Sequence, residues 1–457
     1  MASLASSGTR RLLVIHCVGV FLISSFSVLP FLKIPTWFPE SYPKLIVVLT
    51  WLLAAVLLAS GMSLIATVSC KPDWRRWIGA ILPLTSFAVA TARANGFPGL
   101  NRISEYGDAD ALRVLLDDTR VDFSRWLLGF RILSELLGVV NLLTDGVDID
   151  SFVRMTSAAA MLVSAIWFIS KQEHSVSPWL LITSPMWILF SLGYDEYYPF
   201  VAGIVAASVW QVTSGRSLFG KQSIYVLVGV LPILYVGTLP LALALLIYAW
   251  SQDVEWSGRR RGAGVALISA TLSIEIGGEF KGYVRGLTSQ LNLGGQYLEK
   301  SATSKASAAS SRSFLADPSY ALSFEHLIDI FFWLSCGIGL VVILSALVWG
   351  RTRRQEKSSV SADTKRFGLN LRHISTLTLV FLAIFYLVFM LPLLGPTRDI
   401  DLYFISMFVL LLFAGSRFDR FVQTTENPSL ERLRFMQLSA FGFAPATMAL
   451  VVFGVSR

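Results

Sequence analysis

The chain has 457 residues, 54% of them hydrophobic and only 15% charged, and its mean hydropathy is +0.62. Apolar runs of about 20 residues, enough to cross a hydrocarbon core about 30 Å thick, recur along the chain and exclude a soluble globular protein. The net charge of +8 is typical of cytoplasmic loops in a membrane protein and therefore does not indicate a nucleic-acid partner. Cys17, Cys70 and Cys336 provide neither a disulfide framework nor a metal-ligand spacing.

The pattern predicts an all-α, polytopic transmembrane helix bundle with about 13 membrane segments. Arg10 and Arg11 precede the first span and predict that the N-terminus lies inside. No convincing cleavage site follows, so this span is expected to stay uncleaved. The predicted spans are 12–30, 45–68, 77–89, 151–170, 178–193, 199–213, a broken pair within 224–250, 262–276, 328–350, 373–394, 402–415 and 435–454. Pro232, Gly237 and Pro240 predict two short helices meeting at an outer turn, and whether this pair crosses completely stays open.

The segment 123–143 is predicted to be an interfacial helix on the outer face. It contains Arg131 and Glu135, while its apolar residues recur at every third or fourth position. Those apolar residues are Phe123, Trp126, Phe130, Leu133, Leu137 and Val140. When this helix is not counted as a membrane crossing, the basic clusters at 259–261 and 351–357 are placed on the cytoplasmic side, as the positive-inside rule predicts.

This map divides the chain into three parts. Residues 1–70 provide two extra N-terminal spans, residues 71–415 form the main module, and residues 416–457 contain a cytoplasmic connector and the last span. The main module carries two large outer loops, 94–150 and 277–327. The second loop includes a Ser/Ala-rich stretch of low complexity, interpreted either as a disordered surface excursion or as a lid over a membrane site.

Four short motifs with acidic or mixed charge fall on the outer face in this map. They read YGDAD at 106–110, GYDEYYP at 193–199, HLID at 326–329 and RDIDLYF at 398–404. Tyr194, Tyr197 and Tyr198 of the second motif are expected to form an interfacial aromatic belt, with a sugar platform as the alternative. Ionisable residues are scarce inside the predicted spans, which favours chemistry at the surface over ion-coupled transport.

Taken in order, these motifs resemble those of the GT-C superfamily of membrane glycosyltransferases, which use polyprenyl-phosphate sugars, and in particular a bacterial branch of it. The corresponding patterns there read approximately GYVExY, HxxD and RDWDLF, so this chain differs in having Asp195 for Val and Ile400 for Trp. The resemblance covers residues 77–404. It implies an inverting glycosyltransferase in a bacterial inner membrane, with an active site that faces the periplasm or the exterior.

The resemblance also implies catalytic roles for Asp108, Asp110 and Glu196. Asp108 matches the first-loop acid that acts as base or metal ligand in the superfamily, and Asp110 is next in line. Sugar transfer needs a base near the acceptor hydroxyl and positive charge or a divalent cation near the departing phosphate, so a metal requirement stays open. The alternative for both aspartates is capping of the following helix, and for Glu196 it is pairing of a recessed carboxylate.

The remaining motif residues are candidates for substrate binding: Asp195, His326, Asp329, Arg398, Asp399 and Asp401. The guanidinium of Arg398, held by neighbouring carboxylates, matches the geometry of a phosphate, and its alternative role is an interfacial ion pair. His326 and Asp329 share a helix face at i and i+3, where they either bind substrate or join the outer loop to the bundle.

The partners expected for such an enzyme are a polyprenyl-phosphate sugar donor, a lipid or glycan acceptor and membrane lipids. Two other functions stay open. A lipid-linked glycan transporter or flippase would contain internal repeats and paired discontinuous helices, whereas this sequence has one broken pair and no repeat. A catalytically inactive membrane scaffold would tolerate the loss of the outer carboxylates.

Overall fold

The computed structural model is helical over the part of the chain that it describes, where 90% of the residues lie in helices and none lies in a strand. The described residues are 83–91, 127–143, 147–170, 175–194, 197–253, 255–277, 371–389 and 403–423, with single positions at 324, 327, 330, 334, 428, 431, 432, 435, 439 and 443. The prediction of an all-α chain is confirmed for these residues. The predicted spans 12–30 and 45–68 lie outside them.

The helices are numbered in chain order where both ends are described. They are α1 (Leu127–Leu143), α2 (Ile149–Ser170), α3 (Ser177–Ile182), α4 (Pro185–Ser191), α5 (Tyr198–Ser214), α6 (Lys221–Leu234), α7 (Leu239–Gln252), α8 (Trp256–Gly277), α9 (Leu371–Phe389) and α10 (Phe404–Val422). The predicted broken pair is confirmed as α6 and α7. Extended backbone at Tyr235 ends α6, a 3₁₀ turn follows at Val236–Thr238, and Pro240 lies in the first turn of α7.

The predicted single span 178–193 is wrong, because two short helices occupy this stretch. Pro185 lacks a backbone N–H and begins α4, while Ser184 adopts extended backbone and its hydroxyl accepts a hydrogen bond from the Trp187 N–H (3.4 Å). Helix α10 continues past the end of the predicted span 402–415, to Val422. The basic residues Arg417 and Arg420, which follow the predicted span, therefore belong to the helix.

Helix α5 lies at the centre of the described bundle. It packs most extensively against α10 and α2 and also contacts α7 and α9, so nearly all of its side chains are buried. Aromatic rings fill the space around it: the centroid of Phe168 lies 5.7 Å from that of Trp187 and 5.8 Å from that of Trp210. A helix that is apolar on all sides is expected in such a position.

The ends of these helices form two groups with different chemistry. We name one group the basic end, defined by Lys221, Asp253, Arg372 and Arg420. Lys221 and Asp253 pair the start of α6 with the end of α7, while Arg372 and Arg420 connect the start of α9 and the end of α10 to the end of α5. We name the opposite group the tyrosine end, defined by Tyr198, Tyr235 and Tyr403. Segments predicted inside, such as 215–221 and 253–261, lie at the basic end, and those predicted outside, such as 235–238, lie at the tyrosine end.

Both ends of helix α1 lie at the tyrosine end. Near its start, Gly129 packs against the ring of Tyr197, and near its end, Asn141 Oδ1 accepts a hydrogen bond from the Val147 N–H (3.1 Å) just before α2 begins. The start of α2 is itself at the tyrosine end, where Gly193 packs on its backbone. Three of the apolar residues that recur in the predicted interfacial helix, Phe130, Leu133 and Leu137, form the buried face of α1.

The outward surface of the bundle indicates association with a membrane. Helices α2 and α9 are long and apolar enough to cross one. Large apolar side chains are also exposed on α8 and α9. They are Leu267, Ile268, Leu272 and Ile276 of α8 and Leu377, Phe381, Ile384 and Phe385 of α9. Large apolar side chains exposed on two helices favour contact with lipid over contact with water.

Close packing of α6 against α8 depends on Gly229, and we expect Gly229→Ala to destabilise the protein. A Cβ at this position would meet the carbonyl oxygen of Ala266 and the backbone nitrogen of Ala270. Alanine improves helix propensity by about 1 kcal/mol, but overpacking of this contact costs about 1–3 kcal/mol, so the midpoint of thermal unfolding in detergent should fall.

Gly138→Ala in α1 is the matched control for this prediction. Gly138 is also inside a helix, and a Cβ there would meet nothing within 4 Å. The propensity gain should therefore leave the unfolding midpoint unchanged or slightly higher. A midpoint for Gly229→Ala as high as that of Gly138→Ala would show that α6 and α8 have room to separate without cost.

Candidate functional site

The site residues predicted from the sequence lie outside the described residues. They are Asp108, Asp110, Asp195, Glu196, His326, Asp329, Arg398, Asp399 and Asp401. The structure does describe the residues that flank two of the motifs: Gly193, Tyr194, Tyr197 and Tyr198 around the second, and Tyr403 and Phe404 at the end of the fourth. The geometry of the tyrosine end is therefore given by these flanking residues.

Three aromatic rings, from the starts of α5 and α10 and from the residue after α6, meet at the tyrosine end. The ring centroid of Tyr198, at the start of α5, lies 5.6 Å from that of Phe404, at the start of α10. The ring of Tyr235, which follows α6, packs against Tyr198 edge-on at 5.4 Å and stacks on Phe404 at 6.2 Å. Aromatic contacts of this geometry are favourable, so they hold the starts of α5 and α10 together.

Further aromatic contacts extend this cluster to neighbouring helices. Phe190 of α4 lies 5.7 Å from Phe404 and 5.3 Å from Tyr194, measured between ring centroids. Tyr403 packs edge-on against Tyr386 of α9 at 6.1 Å. The described ends of the second and fourth motifs therefore share one aromatic cluster, which joins α4, α5, α9 and α10.

The expectation of an interfacial aromatic belt at the second motif is wrong. Tyr194, Tyr197 and Tyr198 are at most 3% exposed and pack among the helices, so they do not form a ring at the protein surface. Their position has a steric reason, because Gly129 leaves room for the Tyr197 ring against α1. The three rings are therefore part of the buried packing at the tyrosine end.

The backbone that leads into the second motif turns sharply at Gly193. Its φ of +79° lies in the left-handed region that favours glycine, and its Cα lies against the backbone of Arg154 in α2. This turn ends the α4 segment and brings the chain back toward the start of α5. Two residues outside the described part, Asp195 and Glu196, connect the two described sides of the motif.

At the basic end, Asp253 joins α6, α7 and α8. Its carboxylate pairs with Lys221 and accepts a hydrogen bond from the Tyr225 hydroxyl (2.6 Å), while its carbonyl accepts one from Arg259 Nε (3.0 Å). Burial alone would raise the pKa of Asp253, but the hydrogen bonds from Lys221 and Tyr225 and the nearby positive charges lower it overall. This buried carboxylate therefore joins α6, α7 and α8 and has a structural role.

A second carboxylate at the basic end, Asp419 of α10, is buried and fixes the start of α3. It accepts hydrogen bonds from the hydroxyls of Ser175 (2.5 Å) and Ser177 (2.9 Å) and from the Val176 N–H (2.7 Å). These bonds satisfy donors at the beginning of a short helix and tie it to α10. Asp419 therefore has a structural role.

The sequence did not predict the cavity that lies between α9 and α10 at the basic end. It measures about 270 Å³. Its lining consists of Arg372, His373, Thr376, Leu377, Phe413, Arg417 and Arg420. The spacing of Arg417 and Arg420 at i and i+3 at the end of an apolar helix was the available sequence signal, but nothing in the sequence connects them with Arg372.

Within the described residues, no group of three or more His, Cys, Asp or Glu side chains has the arrangement of a metal site. Comparisons with protein-family models, curated proteins and solved structures find no match to this chain.

Proposed function

We propose that this chain is a multi-pass membrane glycosyltransferase of the GT-C type, with its active site at the tyrosine end. It transfers a sugar from a polyprenyl-phosphate donor to a lipid or glycan acceptor on the outer side of a bacterial inner membrane. The observation that carries the proposal is the contact between Tyr198 and Phe404, whose ring centroids are 5.6 Å apart. This contact joins the two motifs that carry Glu196 and Arg398.

The covalent chain supports this use of the aromatic contact. Glu196 precedes Tyr198 by two residues, and Asp401 precedes Phe404 by three. Three residues of extended backbone cover at most about 11 Å, so the backbone of each carboxylate residue lies within about 11 Å of this aromatic cluster. A donor phosphate bound by Arg398 and a carboxylate base close to it require this kind of proximity.

The position of α1 supports a contribution from the first outer loop. That loop carries Asp108 and Asp110 and leads directly into α1, whose two ends lie at the tyrosine end. In the proposed enzyme the first-loop acid acts as the base on the acceptor hydroxyl, and Arg398 binds the donor phosphate. A divalent cation, if the reaction needs one, would be held by the outer carboxylates and would neutralise the departing phosphate.

The multi-pass arrangement is part of the same proposal. Helices α2 and α9 provide two crossings by length and hydropathy, and the pair α6 and α7 enters and leaves at the basic end. Segments that the positive-inside rule assigns to the cytoplasm lie together at that end. The tyrosine end then faces the periplasm or the exterior.

The proposal is tested through Arg398 with purified protein in lipid and a polyprenyl-phosphate sugar. Arg398→Lys keeps the charge but loses the planar fork, so donor affinity should fall about tenfold, and Arg398→Ala should weaken it further. Product formation, donor binding and lipid movement are measured separately. Arg260→Lys, an exposed substitution on α8 at the basic end, is the matched control and should leave all three unchanged.

The same assay separates the enzyme from a flippase. A glycosyltransferase forms product without any need for lipid movement, whereas a flippase moves the lipid and forms no product. Lipid movement without product, or donor affinity that is unchanged in both Arg398 variants, would contradict the proposed function.

A further inference from the structure

The cavity at the basic end brings together three arginines from two helices. Arg372 comes from the first turn of α9, and Arg417 and Arg420 come from the last turns of α10. We call this cavity of about 270 Å³ the arginine pocket. It lies at the opposite end of the bundle from the proposed transferase site.

Each guanidinium of the arginine pocket is held by a separate contact. Arg420 Nη2 donates to the carbonyl of Thr213 (3.1 Å), and Arg372 Nη2 donates to the carbonyl of Ser214 (3.1 Å). The guanidinium of Arg417 lies over the ring of Phe413 at 5.1 Å. The pocket is therefore built from positioned groups, although Arg417 and Arg420 are exposed to solvent on one side.

Gly215 makes room for this arrangement. Its φ of +66° ends α5 in the left-handed region, and a Cβ there would occupy the space of the Arg372 guanidinium. The last carbonyls of α5 carry partial negative charge, which attracts the two arginines but amounts to only about half an elementary charge.

The charges around the pocket favour an anionic ligand. Arg372 and Arg417 both act on Arg420 as like charges, which an anion bound between them would relieve. Asp419, although adjacent to Arg420 in sequence, turns its carboxylate toward Ser175 and Ser177 of the α3 segment. Guanidinium groups match the geometry of phosphate oxygens and bind them through paired N–H donors.

An apolar track leads out of the pocket along α9. Leu377 lines the cavity, and Phe381 and Phe385 follow four and eight residues later on the same helix face. Their side chains are 57%, 66% and 43% exposed, and the two phenylalanine rings stack at 6.4 Å between centroids. A ligand that fits both features has an anionic head and a long apolar tail.

We propose that the arginine pocket binds the phosphate headgroup of an anionic membrane lipid, with an acyl chain along Leu377, Phe381 and Phe385. Basic pockets between membrane helices at the cytoplasmic side recognise such headgroups through the same chemistry. The lipid ties α9 to α10 at the basic end. This site depends on association of the chain with a membrane and does not depend on glycosyl transfer.

The test is native mass spectrometry of the full-length protein in a neutral detergent, titrated with dioleoyl phosphatidylglycerol. Phosphatidylcholine with the same chains should bind weakly, because its choline group offsets the phosphate charge. One arginine near an anionic headgroup contributes about fivefold in affinity, so Arg417→Gln should weaken phosphatidylglycerol binding about fivefold and Arg417→Gln with Arg420→Gln about 25-fold. Arg417→Gln leaves the contact of Arg420 with α5 intact, so its effect is separate from any loss of folding.

The matched control is Arg260→Gln with Arg261→Gln, which removes two exposed charges from α8 at the same end and away from the cavity. Its affinity for phosphatidylglycerol should stay within about twofold of the natural chain. Equal losses in the control and the pocket variants would overturn the proposal. Displacement of the lipid by millimolar inorganic phosphate would also overturn it, because it would indicate a site for free phosphate. Equal affinity for dihexanoyl phosphatidylglycerol would contradict the role of the apolar track in binding an acyl chain.

Discussion

Replacement of Asp108 by Asn is expected to lower glycosyl transfer by about 10²- to 10⁴-fold while the protein stays inserted and folded. The substitution keeps the size of the side chain but removes the charge and the basic oxygen that would accept the proton of the acceptor hydroxyl. The measurement is product formation from a polyprenyl-phosphate sugar by purified protein in lipid. Unfolding temperature is measured in parallel, because a folded but inactive variant is the expected result.

Asp110→Asn is the matched control, since it removes an identical group two residues further along the same loop. We expect a smaller loss of rate, because Asp110 matches the N-cap pattern of the following segment. Near-normal turnover by Asp108→Asn together with an inactive Asp110→Asn would transfer the base to Asp110. Full activity of both variants would contradict the assignment of the base to the first outer loop.

Replacement of Asp419 by Ala should cause the largest loss of stability at the basic end, about 3 kcal/mol in the free energy of unfolding. The side chain is only 7% exposed and accepts hydrogen bonds from Ser175, Val176 and Ser177. The substitution leaves these donors without their acceptor and removes the hydrogen bonds that tie the start of α3 to α10. The measurement is unfolding by denaturant in a mild detergent, followed by tryptophan fluorescence.

Glu135→Ala in α1 is the control for loss of a carboxylate. Glu135 pairs with Arg131 at i and i+4, but both side chains are more than half exposed, so we expect a loss of about 0.5 kcal/mol or less. Asp419→Asn keeps one acceptor oxygen and should lie between the two. A loss for Asp419→Ala no larger than that for Glu135→Ala would show that water replaces the buried contacts.

Local patterns predicted much of the helical architecture. Pro232, Gly237 and Pro240 correctly predicted the break between α6 and α7, because proline and glycine act on the backbone next to them. The periodicity that predicted an amphipathic helix at 123–143 matches the face of α1 that is buried, which includes Phe130 and Leu133. The break before Pro185 had the same kind of signal, but the continuous apolar composition around it favoured one long span.

Features that depend on distant residues were not predictable in this way. The hydrogen bond from Ser175 to Asp419 joins residues 244 positions apart, and the arginine pocket joins α9 to α10. Burial of the tyrosines was also missed, because a tyrosine has an apolar ring and a polar tip and suits both an interface and a protein interior. For the candidate site, the sequence supplied the residues, and the structure supplies the aromatic cluster that connects two of their motifs.

The length of α5 affects how the proposed enzyme sits in a bilayer. Its 17 residues span about 26 Å, less than the hydrocarbon thickness of about 30 Å, whereas the 22 residues of α2 span about 33 Å. Because α5 is enclosed by other helices, its shortness causes no mismatch with lipid. At the tyrosine end, the turn at Gly193 lies against Arg154, five residues inside α2, so this turn lies deeper in the bundle than the start of α2. In the proposed enzyme, the carboxylates that follow Gly193 in the second motif would then be screened less by water than charges on an open surface.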